Sequence, residues 1–336
     1  MRLSIVTLLF LSAFVLFHCG SDKEECAFIP DTSNLNIELD YQALSDNFIN
    51  VSSKEELVRL LTDNPVIRDF VLKRKQYPSD SVFINEVYRR FTNPEIKTLL
   101  AETHRVFGDE QELKSEFAQA FTNIKYYYPE FRIPKIKTVV TGFDTDLFFS
   151  DTLLIVGLDY FLGPGATYRP NMYDYLLQQY RKENIVPSFL LLYGINPTIN
   201  NVDPSDKTVL ADMIAYGKSY YFAKQMMPCT PDSIFIWYTE EEIAGARRNQ
   251  DAVWFRLIEN QVLYSNSHLE KQKFLLERPK TLEVGEKCPG RIGQWVGWEI
   301  VKSYMKGHED VTLQQLMQTS DAGQIFKESK YKPDRR

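Results

Sequence analysis

The stretch Asp146-Leu147-Phe148-Phe149-Ser150-Asp151-Thr152-Leu153-Leu154-Ile155-Val156-Gly157-Leu158 decides the fold. Two apolar runs of strand length flank a turn at Asp151-Thr152, so the segment predicts a β-hairpin. Just upstream, Ile136-Lys137-Thr138-Val139-Val140-Thr141 is a third β-like run. The short connections between the three favour a small antiparallel sheet over a βαβ unit, which needs a long crossover. Gly163-Pro164-Gly165 follows as a loop.

Helical patterns lie on both sides of this β region. From Leu39 to Tyr128, apolar residues recur at helical spacing (Leu57, Leu60, Leu61; Val66, Phe70, Val71; Phe83, Val87, Phe91). Ser53 with Glu56 predicts a capping box, and Asn64-Pro65 and Asn93-Pro94 each predict an N-cap followed by a first-turn proline. Gly108 separates a helix ending near Phe107 from one running from about Glu110 to Tyr127. After the β region, helices are expected over Asn171–Tyr180, Lys207–Met227 (stopped by Pro228), from Thr239 through Ile258, over Gly297–Met305, and after Thr312. Helices, sheet, helices in that order predict an α+β, helix-rich single domain.

Composition narrows the class. The 336 residues are 44% hydrophobic, with 22 Phe, 19 Tyr and 4 Trp, enough for a large core. The net charge of −6 comes without a basic stripe, which argues against nucleic acid as a partner. Residues 3–17 form an apolar run of signal-peptide length ending at Cys19, and no small-residue cleavage site precedes that cysteine. The expectation is a lipoprotein leader over 1–18, acylation of Cys19, a polar tether over 19–35 and a domain over 36–336. The run Lys23-Glu24-Glu25 is a candidate surface-export signal, and inner and outer membrane both remain open.

The usual catalytic constellations are missing from the sequence. None of His104, His268 and His308 has a histidine four residues on, which a zinc site of the H-E-x-x-H type needs to aim two imidazoles at one metal. His308-Glu309 lies in a predicted interhelical loop. There is no G-x-S-x-G and no G-x-x-x-x-G-K-[ST]. Glu240-Glu241-Glu242 fits a first helical turn, and Asp144 with Asp146 fits a turn lacking the glutamate of a calcium loop. No catalytic residue, metal or cofactor is expected. Of the cysteines other than Cys19, Cys229 and Cys288 stand in loop-like sequence and form the candidate disulfide.

Several stretches together are more specific than any motif. Leu153–Gly163, Gly217-Lys218-Ser219-Tyr220-Tyr221-Phe222, Trp237-Tyr238-Thr239-Glu240-Glu241, Pro289–Val301 and Ile325–Pro333 resemble the gliding-motility lipoprotein family GldB over nearly the whole mature chain. That family in turn resembles zinc peptidases of the H-E-x-x-H class. The resemblance implies a zincin-like scaffold with an edge strand at Leu153–Leu158 and a motif helix near Ile185–Leu192. Its metal positions would fall at Pro187, Ser188 and Leu191, and the glutamate position at Tyr216, residues that cannot ligate zinc. The implied function is that of a lipid-anchored envelope component of the gliding machinery, acting through contact with other proteins of that machinery rather than by catalysis. Arg291, Trp295 and Trp298 are its candidate partner-binding residues. The alternative is a metallopeptidase-like hydrolase with scattered ligands.

Overall fold

The computed structural model describes residues 26–333. Its sheet has four strands: β1 (Tyr41–Ala43), β2 (Lys135–Val139), β3 (Leu147–Phe149) and β4 (Leu153–Gly157), in the spatial order β1-β2-β4-β3. The predicted hairpin is β3 and β4, antiparallel with Phe148 opposite Ile155. The expectation of a purely antiparallel sheet is corrected, because β2 runs parallel to both β1 and β4 and the sheet is mixed. From β2 the chain crosses to the far side of β4, forms β3 at the edge, and only then turns back between its neighbours. The zincin-like scaffold is not shown by this topology.

Between β1 and β2 come α1 (Ser45–Ile49), α2 (Lys54–Asp63), α3 (Asp80–Phe91), α4 (Pro94–Phe107) and α5 (Gln111–Tyr127). After the sheet come α6 (Asp174–Leu177), α7 (Ile185–Ile195), α8 (Val209–Met226), α9 (Asp232–Ile236), α10 (Glu240–Arg248), α11 (Gln250–Glu259), α12 (His268–Leu275), α13 (Ile292–Gly307), α14 (Leu313–Gln318) and α15 (Ala322–Ser329). Asn93 caps α4 ahead of Pro94 as expected, and Thr239/Glu242 and Thr312/Gln315 form complete capping boxes. A helical segment does begin at Pro65 as expected, with the Arg68 N–H on Asn64 O at 3.1 Å, but the Asn64 side chain does not cap it. Asn64 closes α2, donating to Leu60 O at 2.9 Å and accepting from Lys137 Nζ at 2.6 Å, so its side chain is already committed. The helix expected over Asn171–Tyr180 shrinks to the single turn of α6.

The centre of the molecule is α8 crossed by α13. Gly217 and Gly297 let the two backbones touch: a Cβ built on Gly297 would lie 1.9 Å from Met213 O, and one on Gly217 2.3 Å from Gly297 O. Tyr220 stacks on Trp298 at 5.0 Å, and Phe235 meets the same ring edge-on at 6.1 Å. From α8, the buried Lys218 ammonium donates to Asn201 O (2.8 Å), Met317 O (3.2 Å) and Thr319 O (2.8 Å), tying α8 to the end of α14.

The disulfide joins Cys26 to Cys229, and Cys288 is free, which corrects the expected Cys229–Cys288 pair. The Cys288 thiol is half-buried and pushed up to about 12 by burial, so it is held as a neutral thiol. The bridge fastens the predicted tether (19–35) to the body near the tether's middle. It closes a loop of 203 residues in the unfolded chain, but only 14 residues, none in a helix or strand, lie between Cys26 and β1 in the folded one. The difference between the two closure entropies gives a net stabilisation of about 2 kcal/mol.

Burial also sets one pH dependence. Glu116 on α5 is pushed up to about 7, chiefly by desolvation and then by the nearby Glu112 and Glu183, with Lys182 opposing. Folding therefore favours its protonated form: the stability this provides is complete below about 4.5 and is lost as pH rises through 7. Glu116→Gln is expected to raise the Tm at pH 8 and to leave it nearly unchanged at pH 5. The gain is kept to about 1 kcal/mol by solvent screening of this partly exposed group. Thermal melts at the two pH values check this, and equal shifts at both would contradict it.

Candidate functional site

A groove of about 690 Å³ opens between the hairpin, α7, α8 and the start of α13. Its walls are mostly apolar (Leu147, Phe161, Leu191, Leu192, Ile195, Leu275), with a polar floor where Tyr220 donates to Gln294 at 2.6 Å and Gln294 donates to Leu275 O at 2.6 Å. Such a volume, with a few placed polar groups, suits a small ligand or a short extended peptide.

Asp146 and Leu147, where the chain enters the edge strand β3, lie at one end of the groove. Gly157 N–H donates to Asp146 O and Ser150 N–H to Leu153 O, which makes 146, 148 and 150 the hydrogen-bonded positions of the hairpin. Leu147 and Phe149 therefore turn their N–H and C=O groups away from β4, toward the unpaired edge. The Leu147 N–H is taken by its neighbour Asp146 at 2.7 Å. The expected edge strand at Leu153–Leu158 is corrected: β4 is interior, flanked by β2 and β3, and the edges of the sheet are β1 and β3, of which β3 is the one at the groove.

Facing β3 is α7, which carries Pro187 in its first turn, where the missing N–H is tolerated. Close approach to α8 fixes its place, since a Cβ on Gly194 would lie 2.8 Å from Ser219 Oγ, and that hydroxyl donates to Leu191 O at 2.9 Å. Of the positions singled out by the peptidase resemblance, Ser188, Leu191 and Tyr216 all line the groove. Ser188 Oγ donates to Asn184 O at 2.7 Å, and burial raises the Tyr216 hydroxyl above its usual range. None of the three is a metal ligand.

At the start of α13, Arg291 adopts the left-handed conformation (φ 58°) and lays its guanidinium over the Trp237 ring at 4.5 Å. Trp237 is itself left-handed (φ 57°) at the end of α9. Two non-glycine residues in this region persist only where the surroundings hold them. Here Tyr238 donates its hydroxyl to Gly290 O, and Thr281 donates to Pro289 O at 2.8 Å. Gly290 is obligatory, since a Cβ there would lie 2.2 Å from Arg278 O.

Among the predicted partner-binding residues, Arg291 reaches the groove, but Trp295 and Trp298 are corrected to core residues. They are 1% and 0% exposed, because their face of α13 is the one packed on α8. Trp237, Tyr180 and Glu277 belong to the groove and were not anticipated as site residues. The histidines stay apart on different elements. His104 pairs with Asp46 at 3.0 Å, His268 opens α12, and His308 ends α13 with its ring stacked on Tyr304 at 4.4 Å. Among the described residues, no group of three or more His, Cys, Asp or Glu is placed to hold a metal ion. Cys19 and the leader lie outside the described residues.

No helix among the described residues is long and apolar enough to cross a membrane. Neither the curated proteins nor the solved structures contain a match to this chain. A family model described as gliding motility protein GldB matches residues 25–333, which includes every described residue. The chain belongs to the gliding motility protein GldB family, a family of lipoproteins.

Proposed function

We propose that the protein is a lipid-anchored component of the cell envelope that serves gliding motility by protein contact, binding an extended partner segment in the groove beside β3. The observation that carries this is the unpaired edge of β3 on an apolar groove, the arrangement in which a peptide adds as a strand and places alternate side chains in a pocket. Of the positions that the peptidase resemblance implies, Ser188, Leu191 and Tyr216 line the groove and Pro187 does not, and none of these side chains can hold a metal. Contact rather than hydrolysis is the chemistry these residues support.

The anchor is Cys19, acylated after removal of residues 1–18. Because Cys26 is fixed to Cys229, only six residues (20–25) separate the lipid-bearing Cys19 from the folded body, seven steps along the chain with a reach of about 25 Å at full extension. The body is thus held close to the bilayer, and either membrane of the envelope satisfies this geometry.

The test is replacement of the chromosomal gene by a Leu147→Pro variant. The Leu147 N–H faces away from β4 and is already taken by Asp146, so proline leaves the hairpin ladder intact while its ring fills the place where an added strand would lie. Expected are loss of surface spreading, normal protein levels and a Tm lowered by less than about 4 °C. Normal spreading by that strain would overturn the reading. In a parallel strain, Cys19→Ala should move the protein from the membrane to the soluble fraction, and retention on membranes would remove the anchor.

A further inference from the structure

Among the described residues that line the groove, Arg291 is the one cation, and it stands where the groove meets a second cavity. Arg291 lines both the 690 Å³ groove and a small neighbouring cavity of about 30 Å³, and the two meet at Gln179, Trp237, Glu277 and Arg291. Past that line the space falls below what one more residue of a bound chain would fill. A segment that enters the groove at Leu147 and runs toward Arg291 therefore has to stop there or turn out to solvent.

The guanidinium is also available. Its protein contact is the Trp237 face, and among the described residues it has no carboxylate within 4.0 Å and no hydrogen bond. Five N–H donors in a planar fork, with one face desolvated on an indole, form a bidentate carboxylate receptor. The first-turn N–H groups of α13, which begins one residue later, add potential of the same sign. Two other charges line the groove. Asp146 lies at the β3 end, where Tyr180 donates to it at 2.9 Å, and Glu277 is exposed on the rim, where water screens its repulsion of an anion.

We propose that Arg291 anchors the C-terminal carboxylate of the extended partner segment, so that the groove recognises the end of a chain whose preceding residues pair with β3. This rests on the groove reading above. The edge supplies backbone pairing without sequence preference, the walls select apolar side chains, and Arg291 sets register by fixing the terminus.

The test uses the purified full-length protein, immobilised, with two pools of random hexapeptides that differ only in a free or an amidated C-terminus. Retained peptides are read by mass spectrometry. The expected result is at least tenfold enrichment from the free-acid pool with an apolar last residue. Arg291→Gln, checked for an unchanged Tm, should abolish the difference between pools, while Arg291→Lys should keep part of it. Equal retention from both pools, or a difference that survives in Arg291→Gln, overturns the carboxylate anchor. If that equal retention is lost in Leu147→Pro, strand addition stands without the anchor. Retention from neither pool overturns both.

Discussion

Gly297→Ala is expected to lower stability by about 3 kcal/mol or more and the Tm by roughly 5–10 °C, despite adding only a methyl group. The added carbon would lie 1.9 Å from Met213 O and 2.5 Å from the Met213 carbonyl carbon, both backbone atoms of α8. No rotamer change relieves such a contact, so α13 and α8 must move apart. Tyr220 and Phe235 would then lose their fit to Trp298, and those side chains fill the interior. A domain of ordinary stability has only about 5–15 kcal/mol in hand, so cells carrying the variant should show both less protein and poor spreading. Gly245→Ala is the control. That glycine lies in α10 with nothing within 4 Å of the built Cβ, and the change should stabilise by about 0.5–1 kcal/mol through helix propensity. Thermal melts of the two purified variants decide the matter, and a Gly297→Ala melt within 2 °C of the parent would refute the packing argument.

The same interface shows why some features were legible in the sequence and others were not. Local signals survived folding: Thr239/Glu242 and Thr312/Gln315 are caps because each satisfies orphan N–H groups within four residues, whatever the rest of the chain does. The hairpin turn is equally local. Trp295 and Trp298, one helical turn apart beside Gly293 and Gly297, fitted both a binding surface and a packed face, and only the partner helix decides between them. Edge and interior strands were distinguishable in principle: the run Leu154-Ile155-Val156 is apolar without alternation, the pattern of a strand covered on both faces, while β3 is half-buried throughout. Strand β1 left no trace, since three residues pairing with a strand almost a hundred positions later carry no periodicity. The disulfide was unreadable for the same reason, its partners being 203 residues apart. The groove depends on the left-handed backbone at Trp237 and Arg291, residue types that give no hint of that conformation.

Asp159→Ala is expected to cost about 3 kcal/mol, and it tests whether the groove depends on what stands behind it. Asp159 follows β4 and is completely buried, with its carboxylate accepting from Thr141 N–H (2.9 Å), Thr141 Oγ1 (3.1 Å) and Phe143 N–H (2.6 Å). Burial pushes the carboxyl above the usual range, against the pull of those donors. It thereby organises the segment from 141 to 146, where Phe143 is left-handed (φ 64°) and accepts from Tyr160 at 2.7 Å. That segment leads directly into Asp146 and β3, the open edge of the groove. Alanine would orphan two N–H groups that water cannot readily reach, each a loss of about 1–3 kcal/mol, and no smaller rearrangement supplies new acceptors. Asparagine keeps one acceptor but turns an NH₂ toward a donor, so an intermediate loss is expected. The informative measurement is hydrogen exchange by mass spectrometry on Asp159→Asn. Faster exchange confined to residues 141–149 would mean that the buried carboxylate shapes the binding edge specifically. Exchange unchanged there and raised evenly elsewhere would mean that it contributes only to general stability.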